Sequence, residues 1–141
     1  MRIAYGTDEV TPLTQAIAET LVQWGHDVDP VGEGHEWPEV GRRVGEAVAG
    51  GRADLGIVWC FTGTGVSIAA NKVTGVRAAL CLDAATASGA RRWNDANVLA
   101  LSLRVTAPTV AEEVVRAFLE TEVDPAERAA IGRVEPSPIS P

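Results

Sequence analysis

At 141 residues, 46% hydrophobic and 22% charged, the chain is long enough to bury a core and reads as one globular domain. A net charge of -7 argues against nucleic acid or anionic membranes as main partners, yet leaves room for a small phosphorylated ligand in a locally positive pocket. Two cysteines without metal-ligand spacing fit reduced thiols, so neither a metal site nor a disulfide framework is expected. No apolar run approaches a membrane span and Met1-Arg-Ile-Ala lacks a signal-peptide layout, which makes the cytoplasm the expected compartment.

Arg2–Tyr5 is a short predicted strand ending at Gly6-Thr-Asp8-Glu9. Thr11-Pro12 then reads as an N-cap followed by proline at the first helical position. Leu13, Ile17, Leu21 and Trp24 recur at helical spacing as a core stripe, and Gly25 stops the helix. His26–Asp29 is a short second strand, followed by a glycine-rich loop at 32–36 that leads into Trp37-Pro38. A helix from Pro38 to about Ala49 puts Val40, Val44 and Val48 on one face. Strand Leu55–Trp59 ends in a thiol, Cys60, and a Gly/Thr turn that enters an Ala-rich helix. Val76–Cys81 is the next strand, with Cys81 packed in the core. Asp83 caps a helix to about Trp93, Val98–Leu101 is a further strand, and a last helix starts near Pro108 with Val110, Val114, Ala117 and Phe118 inward. The chain turns polar after Glu120, and 136–141 reads as a disordered tail beyond a single domain over 1–135.

Strands alternating with helices of ten to thirteen residues predict an α/β, Rossmann-like three-layer αβα sandwich with a mostly parallel sheet. Ligands of such sheets bind beyond the carboxyl ends of the strands, so Asp8, Cys60, Asp83 and Leu101 should share one rim. The thiol and turn supply two chemical elements at one point. Beside a helix N-terminus a thiolate is favoured and can act as base or nucleophile. The free N–H groups of the same helix start form a cradle for an anion or oxyanion. A thiol phosphatase does not fit, because the arginine of a Cys-x5-Arg loop is here Val66. A dinucleotide site does not fit either, because Gly63-x-Gly65 lacks a third glycine.

Several segments together resemble the type B ribose-5-phosphate isomerases and the galactose-6-phosphate isomerase subunits. They are Ile3-Ala-Tyr-Gly-Thr-Asp8, Cys60-x-Thr62-Gly63-x-Gly65, Ser67-Ile-Ala-Ala-Asn71-Lys72, Gly75-x-Arg77-Ala-Ala-x-Cys81, Asn94-Asp-Ala-Asn97-Val-Leu-Ala-Leu and Arg133-Val134-Glu135. The resemblance implies a cofactor-independent aldose–ketose isomerase acting on a sugar phosphate similar to ribose 5-phosphate, or on a modified sugar, through a cis-enediolate. It also implies a homodimer, or a dimer of dimers, whose sites draw on both subunits. Cys60 matches the base, and the turn Thr62, Gly63, Thr64 and Gly65 matches the enediolate cradle.

The chain departs from the family pattern where the substrate is held. Asp8-Glu9 stands for the family's Asp-His, Phe61 for a glycine, and Trp93-Asn94 for the His-Asn whose histidine helps open the sugar ring. A C-terminal phosphate clamp survives as Arg133-Val134, with Arg128 one residue out of register. Catalysis is therefore expected from Cys60 and Thr62. Substrate contacts are expected from Asp8, Glu9, Phe61, Gly63, Thr64, Gly65, Trp93, Asn94 and Arg133. Glu9 is either a proton carrier or a solvated carboxylate, Asn97 is structural, and His26 and His35 are exposed loop residues. The alternative is an altered or inactive member that binds sugar or serves as partner subunit in a hetero-oligomer.

Overall fold

The computed structural model describes residues 1–135. Strands β1 (Arg2–Thr7), β2 (Asp27–Glu33), β3 (Leu55–Cys60), β4 (Ala78–Leu80) and β5 (Val98–Ser102) form one sheet in the order β2-β1-β3-β5-β4, every pair parallel. Helices α1 (Pro12–Gln23), α4 (Ala84–Asn94) and α5 (Pro108–Glu120) cover one face; α2 (Trp37–Ala49) and α3 (Thr64–Asn71) cover the other.

Central strands buried on both faces must be apolar throughout, and β3 is buried at all six positions. The two-residue period sends Leu55, Ile57 and Trp59 into the α1/α4/α5 layer. Val58 and Cys60 face the α2/α3 layer with Val40, Val44 and Val66. That alternation decides where the thiol points.

The capping chemistry read from the sequence is present. The Thr11 side chain accepts from the Thr14 N–H at 3.2 Å, and Asp83 accepts from the Thr86 N–H at 2.7 Å.

Other boundaries differ from expectation, each for a physical reason. Strand β2 extends to Glu33, four residues past the predicted Asp29, because an edge strand tolerates Pro30 and Gly32 while its inner side pairs with β1. Strand β4 starts at Ala78 rather than Val76, because the Arg77 N–H is diverted to the Asn97 side chain at 2.7 Å. Cys81 lies just past the strand, its N–H still donating to the Ala100 carbonyl at 3.2 Å, and is fully buried as expected. Val110 and Ala117 pack half-buried against the core as expected, and Ala111 and Val115 join Val114 and Phe118 as the fully buried face of α5.

Trp24 is half-buried beyond the end of α1, with the Arg116 guanidinium 4.1 Å above its ring, and so caps the core's margin. The polar segment after Glu120 folds into a 3₁₀ turn, Pro125–Glu127, and a short helix α6, Arg128–Ile131. It is anchored by the Asp124 N–H on the Arg92 carbonyl at 2.8 Å. The tail expected over 136–141 lies outside the described residues.

Candidate active site

The parallel sheet places the ends of β1, β2 and β3 on one rim. Asp8 follows β1, and its N–H donates to the Trp59 carbonyl at 3.3 Å, one residue before Cys60. Cys60 ends β3 with 4% of its surface exposed. The turn beyond it is tied to the end of β5: the Cys60 carbonyl accepts the Leu103 N–H at 3.0 Å, and the Phe61 carbonyl accepts the Arg104 N–H at 2.9 Å and the Ser102 hydroxyl at 3.0 Å.

Gly63 is the N-cap of α3 at φ 77°, and a Cβ there would stand 2.5 Å from Leu80 Cδ1 and 2.9 Å from the Leu101 carbonyl carbon. Only glycine fits that turn. No side chain caps α3, which leaves the N–H groups of its first turn available to an anion. The Thr62 and Thr64 hydroxyls sit beside them, 2.7 Å apart.

A cleft of about 480 Å³ opens on this rim, lined by Asp8 and by the connection from β2 to α2: Gly34, His35, Glu36, Trp37 and Pro38. The Gly34 N–H donates to the Thr7 carbonyl at 2.9 Å, which holds the connection against the end of β1. The Trp37 ring closes on the α3 turn, since a Cβ on Gly65 would stand 2.9 Å from it. Asp8 Oδ1 is buried without a hydrogen-bond partner among the described residues. Burial pushes the Asp8 carboxyl above its usual range, Glu9 adds to the effect, and the N–H groups of Glu9 and Asp8 partly offset it.

Two further residues share this rim. His35, expected as an exposed loop residue, is half-buried on the cleft wall. The available signal was His35-Glu-Trp-Pro38 at a strand-to-helix connection, which a parallel sheet always delivers to this rim. Arg104 was not expected at all. Its guanidinium lies 6.0 Å from the Phe61 ring centroid, and it makes no ion pair among the described residues. Phe61 itself is 60% exposed.

Trp93, Asn94 and Arg133 are not brought to Cys60. They lie at the opposite edge, where the strands begin. Trp93 and Asn94 end α4, just before the Asp95–Asn97 turn into β5. Arg133 follows α6, two residues before Glu135, whose carboxylate is 3.8 Å from the Arg77 guanidinium; Arg77 in turn meets Asp95 at 3.3 Å. A six-residue strand spans roughly 20 Å, so no side chain crosses from one edge to the other within one chain. Trp93 is 56% exposed, its ring folded over Gly89.

Asn97 commits its amide to structure, accepting from the Arg77 N–H at 2.7 Å and donating to the Gly75 carbonyl at 2.9 Å. Burial and Asp83 push the Cys81 thiol up to about 11, which keeps it protonated near neutral pH. Among the described residues no cluster of His, Cys, Asp or Glu is suited to a metal ion, and no helix is long and apolar enough to cross a membrane.

Residues 3–135 match the family model described as Ribose/Galactose Isomerase. A D-erythrulose-4-phosphate isomerase of Pectobacterium atrosepticum is 38% identical over 130 residues, covering 88% of this chain and 86% of that protein. The galactose-6-phosphate isomerase subunit LacB of Clostridium acetobutylicum is 39% identical over 130 residues, covering 89% and 75%. Among solved structures, ribose-5-phosphate isomerase B of Clostridium thermocellum superposes with a TM-score of 0.90 at 38% identity, covering 95% of both chains.

Proposed function

The chain belongs to the ribose/galactose isomerase family of sugar-phosphate isomerases, and from that premise we propose that Cys60 is the base of a cofactor-independent aldose–ketose interconversion. The observation that carries this reading is the placement of Cys60 at the end of β3, directly ahead of the uncapped N-terminus of α3.

In this reading the Cys60 thiolate takes the proton from the carbon beside the carbonyl. The electron pair moves onto the carbonyl oxygen to give a cis-enediolate. The N–H groups that open α3 and the Thr62 and Thr64 hydroxyls hold that oxyanion; the proton of the neighbouring hydroxyl passes to it, and reprotonation of the former carbonyl carbon as the new carbonyl forms completes the isomerisation. A positioned base contributes roughly 10²–10⁴-fold, and one preorganised donor about 3 kcal/mol. Asp8, with a buried carboxylate oxygen that has no partner among the described residues, receives sugar hydroxyls; Glu9, its exposed chain neighbour, and Phe61, exposed in the turn after Cys60, are the proposed further contacts.

Trp93, Asn94 and Arg133 join the site only from a second copy, with the start edge of one sheet set against the rim of the other. A homodimer with shared sites is therefore part of the proposal. The relatives named above act on phosphorylated sugars of four to six carbons, and a phosphorylated sugar in that range is the proposed substrate.

Proton NMR in heavy water tests the base. Candidate sugar phosphates are incubated with the wild type and with Cys60→Ala. Deuterium entering the carbon beside the carbonyl, and lost in the variant, is the expected result. Similarity to a galactose-6-phosphate isomerase subunit supports a second reading, a sugar-binding or partner subunit. Absent exchange together with a ligand-induced rise in melting temperature would favour it.

A further inference from the structure

A sugar that closes on itself must be opened before any base can reach the carbon beside its carbonyl. Opening breaks the bond between the anomeric carbon and the ring oxygen. The anomeric hydroxyl loses a proton, the ring oxygen gains one, and the open chain is an isomer of the closed one. No oxidant or reductant enters. One group that both accepts and donates a proton near neutral pH can serve both atoms, and imidazole is the side chain suited to it.

The chain has two histidines. His26 is at the start of β2, its Nδ1 3.2 Å from the amino terminus, on the edge away from Cys60. His35 is on the rim. It is half-buried in the wall of the same cleft as Asp8, between the Gly34 turn pinned to Thr7 and the Trp37 ring seated against Gly65. The carboxylates that share this cleft are Asp8, at the end of β1, and Glu36, its chain neighbour. Asp8 Oδ1 has no partner among the described residues, which leaves it free to hold a sugar hydroxyl while the imidazole moves the proton.

We propose that His35 is the acid–base group that opens a cyclised substrate in this cleft, taking the anomeric proton and returning it to the ring oxygen. The assignment rests on the isomerase reading and adds to it a residue that acts before the enediolate step.

The test compares a sugar phosphate that cyclises with one that cannot. Ribose 5-phosphate closes through its free 4-hydroxyl; erythrulose 4-phosphate carries its phosphate on that oxygen and stays open. His35→Asn and His35→Gln are assayed on both, with melting temperature as a fold control. The expected result is a fall in kcat on ribose 5-phosphate of about 100-fold, with kcat on erythrulose 4-phosphate held within about three-fold. Equal losses on both substrates would make His35 structural and overturn the assignment. So would unchanged rates on both, or a wild type that turns over only the open-chain sugar. A wild type that exchanges no deuterium into either sugar, nor into galactose 6-phosphate, sinks the isomerase reading instead, so the two failures are told apart.

Discussion

Gly63 is the position where the cradle can be tested by stability and activity together. Its φ is 77°, a conformation that costs an alanine about 1–2 kcal/mol. The added Cβ would also stand 2.5 Å from Leu80 Cδ1 and 2.9 Å from the Leu101 carbonyl carbon. Leu80 has a flexible end, but Leu101 is backbone of β5, held between β3 and β4, and cannot retreat. Overpacking of this kind adds about 1–3 kcal/mol.

Gly51 isolates the first contribution. It has φ 75° with nothing within 4 Å of a Cβ, so alanine there meets strain alone. Stiffening of the unfolded chain returns about 0.4–1 kcal/mol in both variants. The net expectation is about 3 kcal/mol lost in Gly63→Ala and about 1 kcal/mol or less in Gly51→Ala. Urea unfolding at one shared protein concentration measures both, and the corresponding drops in Tm are about 10 °C and 3 °C. Displacing the first turn of α3 should also lower kcat about 100-fold in Gly63→Ala while leaving Gly51→Ala unchanged. Equal destabilisation within about 0.5 kcal/mol, or full kcat in Gly63→Ala, would refute the reasoning.

Asn97→Ala leaves the Arg77 N–H and the Gly75 carbonyl without their partner, and calorimetry should show about 1–3 kcal/mol lost with kcat retained in the folded fraction. Asp8→Asn should be more stable than the wild type at pH 7. The folded carboxyl titrates above its unfolded value, so the wild type loses stability as pH rises through that window; urea midpoints of the two should converge below about pH 4, and kcat should fall throughout. Arg104→Gln removes a cation that no carboxylate among the described residues engages, and KM for a phosphorylated sugar should rise about 10- to 100-fold with kcat little changed. Cys81, buried and held protonated, should be alkylated by iodoacetamide at pH 7.5 only in urea-unfolded protein, as peptide mass mapping would read.

The sheet was legible because its information is local and periodic. Leu55–Trp59 is an unbroken apolar run bounded by Asp54 and a glycine turn, and it becomes the doubly buried centre of the sheet. Thr11-Pro12 and Asp83 announce helix starts through atoms three residues away. The errors fall where the deciding partner is distant in sequence. Strand β2 extends through Pro30 and Gly32 because β1 pairs with it along that length. Strand β4 starts late, at Ala78, because Asn97, twenty residues on, takes the N–H of Arg77. Neither partner can be read from the segment itself.

The site divides in the same way, and the division is informative. Asp8 and Cys60 were placed on one rim by topology alone, since every strand of a parallel sheet ends on the same side. That argument applies with equal force to the β2–α2 connection, so His35 belonged on the rim before any coordinate was known. A histidine in a glycine-rich loop carries the sequence signature of a solvated residue, and the cleft lined by Asp8 and Trp37 shows otherwise. The same topology says that a residue ending a helix belongs to the opposite edge. Trp93 and Asn94 end α4, and Arg133 lies with them, so their grouping with Cys60 cannot be a statement about one chain. In the proposed homodimer, a two-fold axis that sets the start edge of one sheet on the rim of the other would unite the groups twice over. Mixing Cys60→Ala chains with Arg133→Ala chains should then restore about a quarter of wild-type activity, from the half of the dimers that carry one unmutated site. No recovery on mixing would leave Arg133 outside the site.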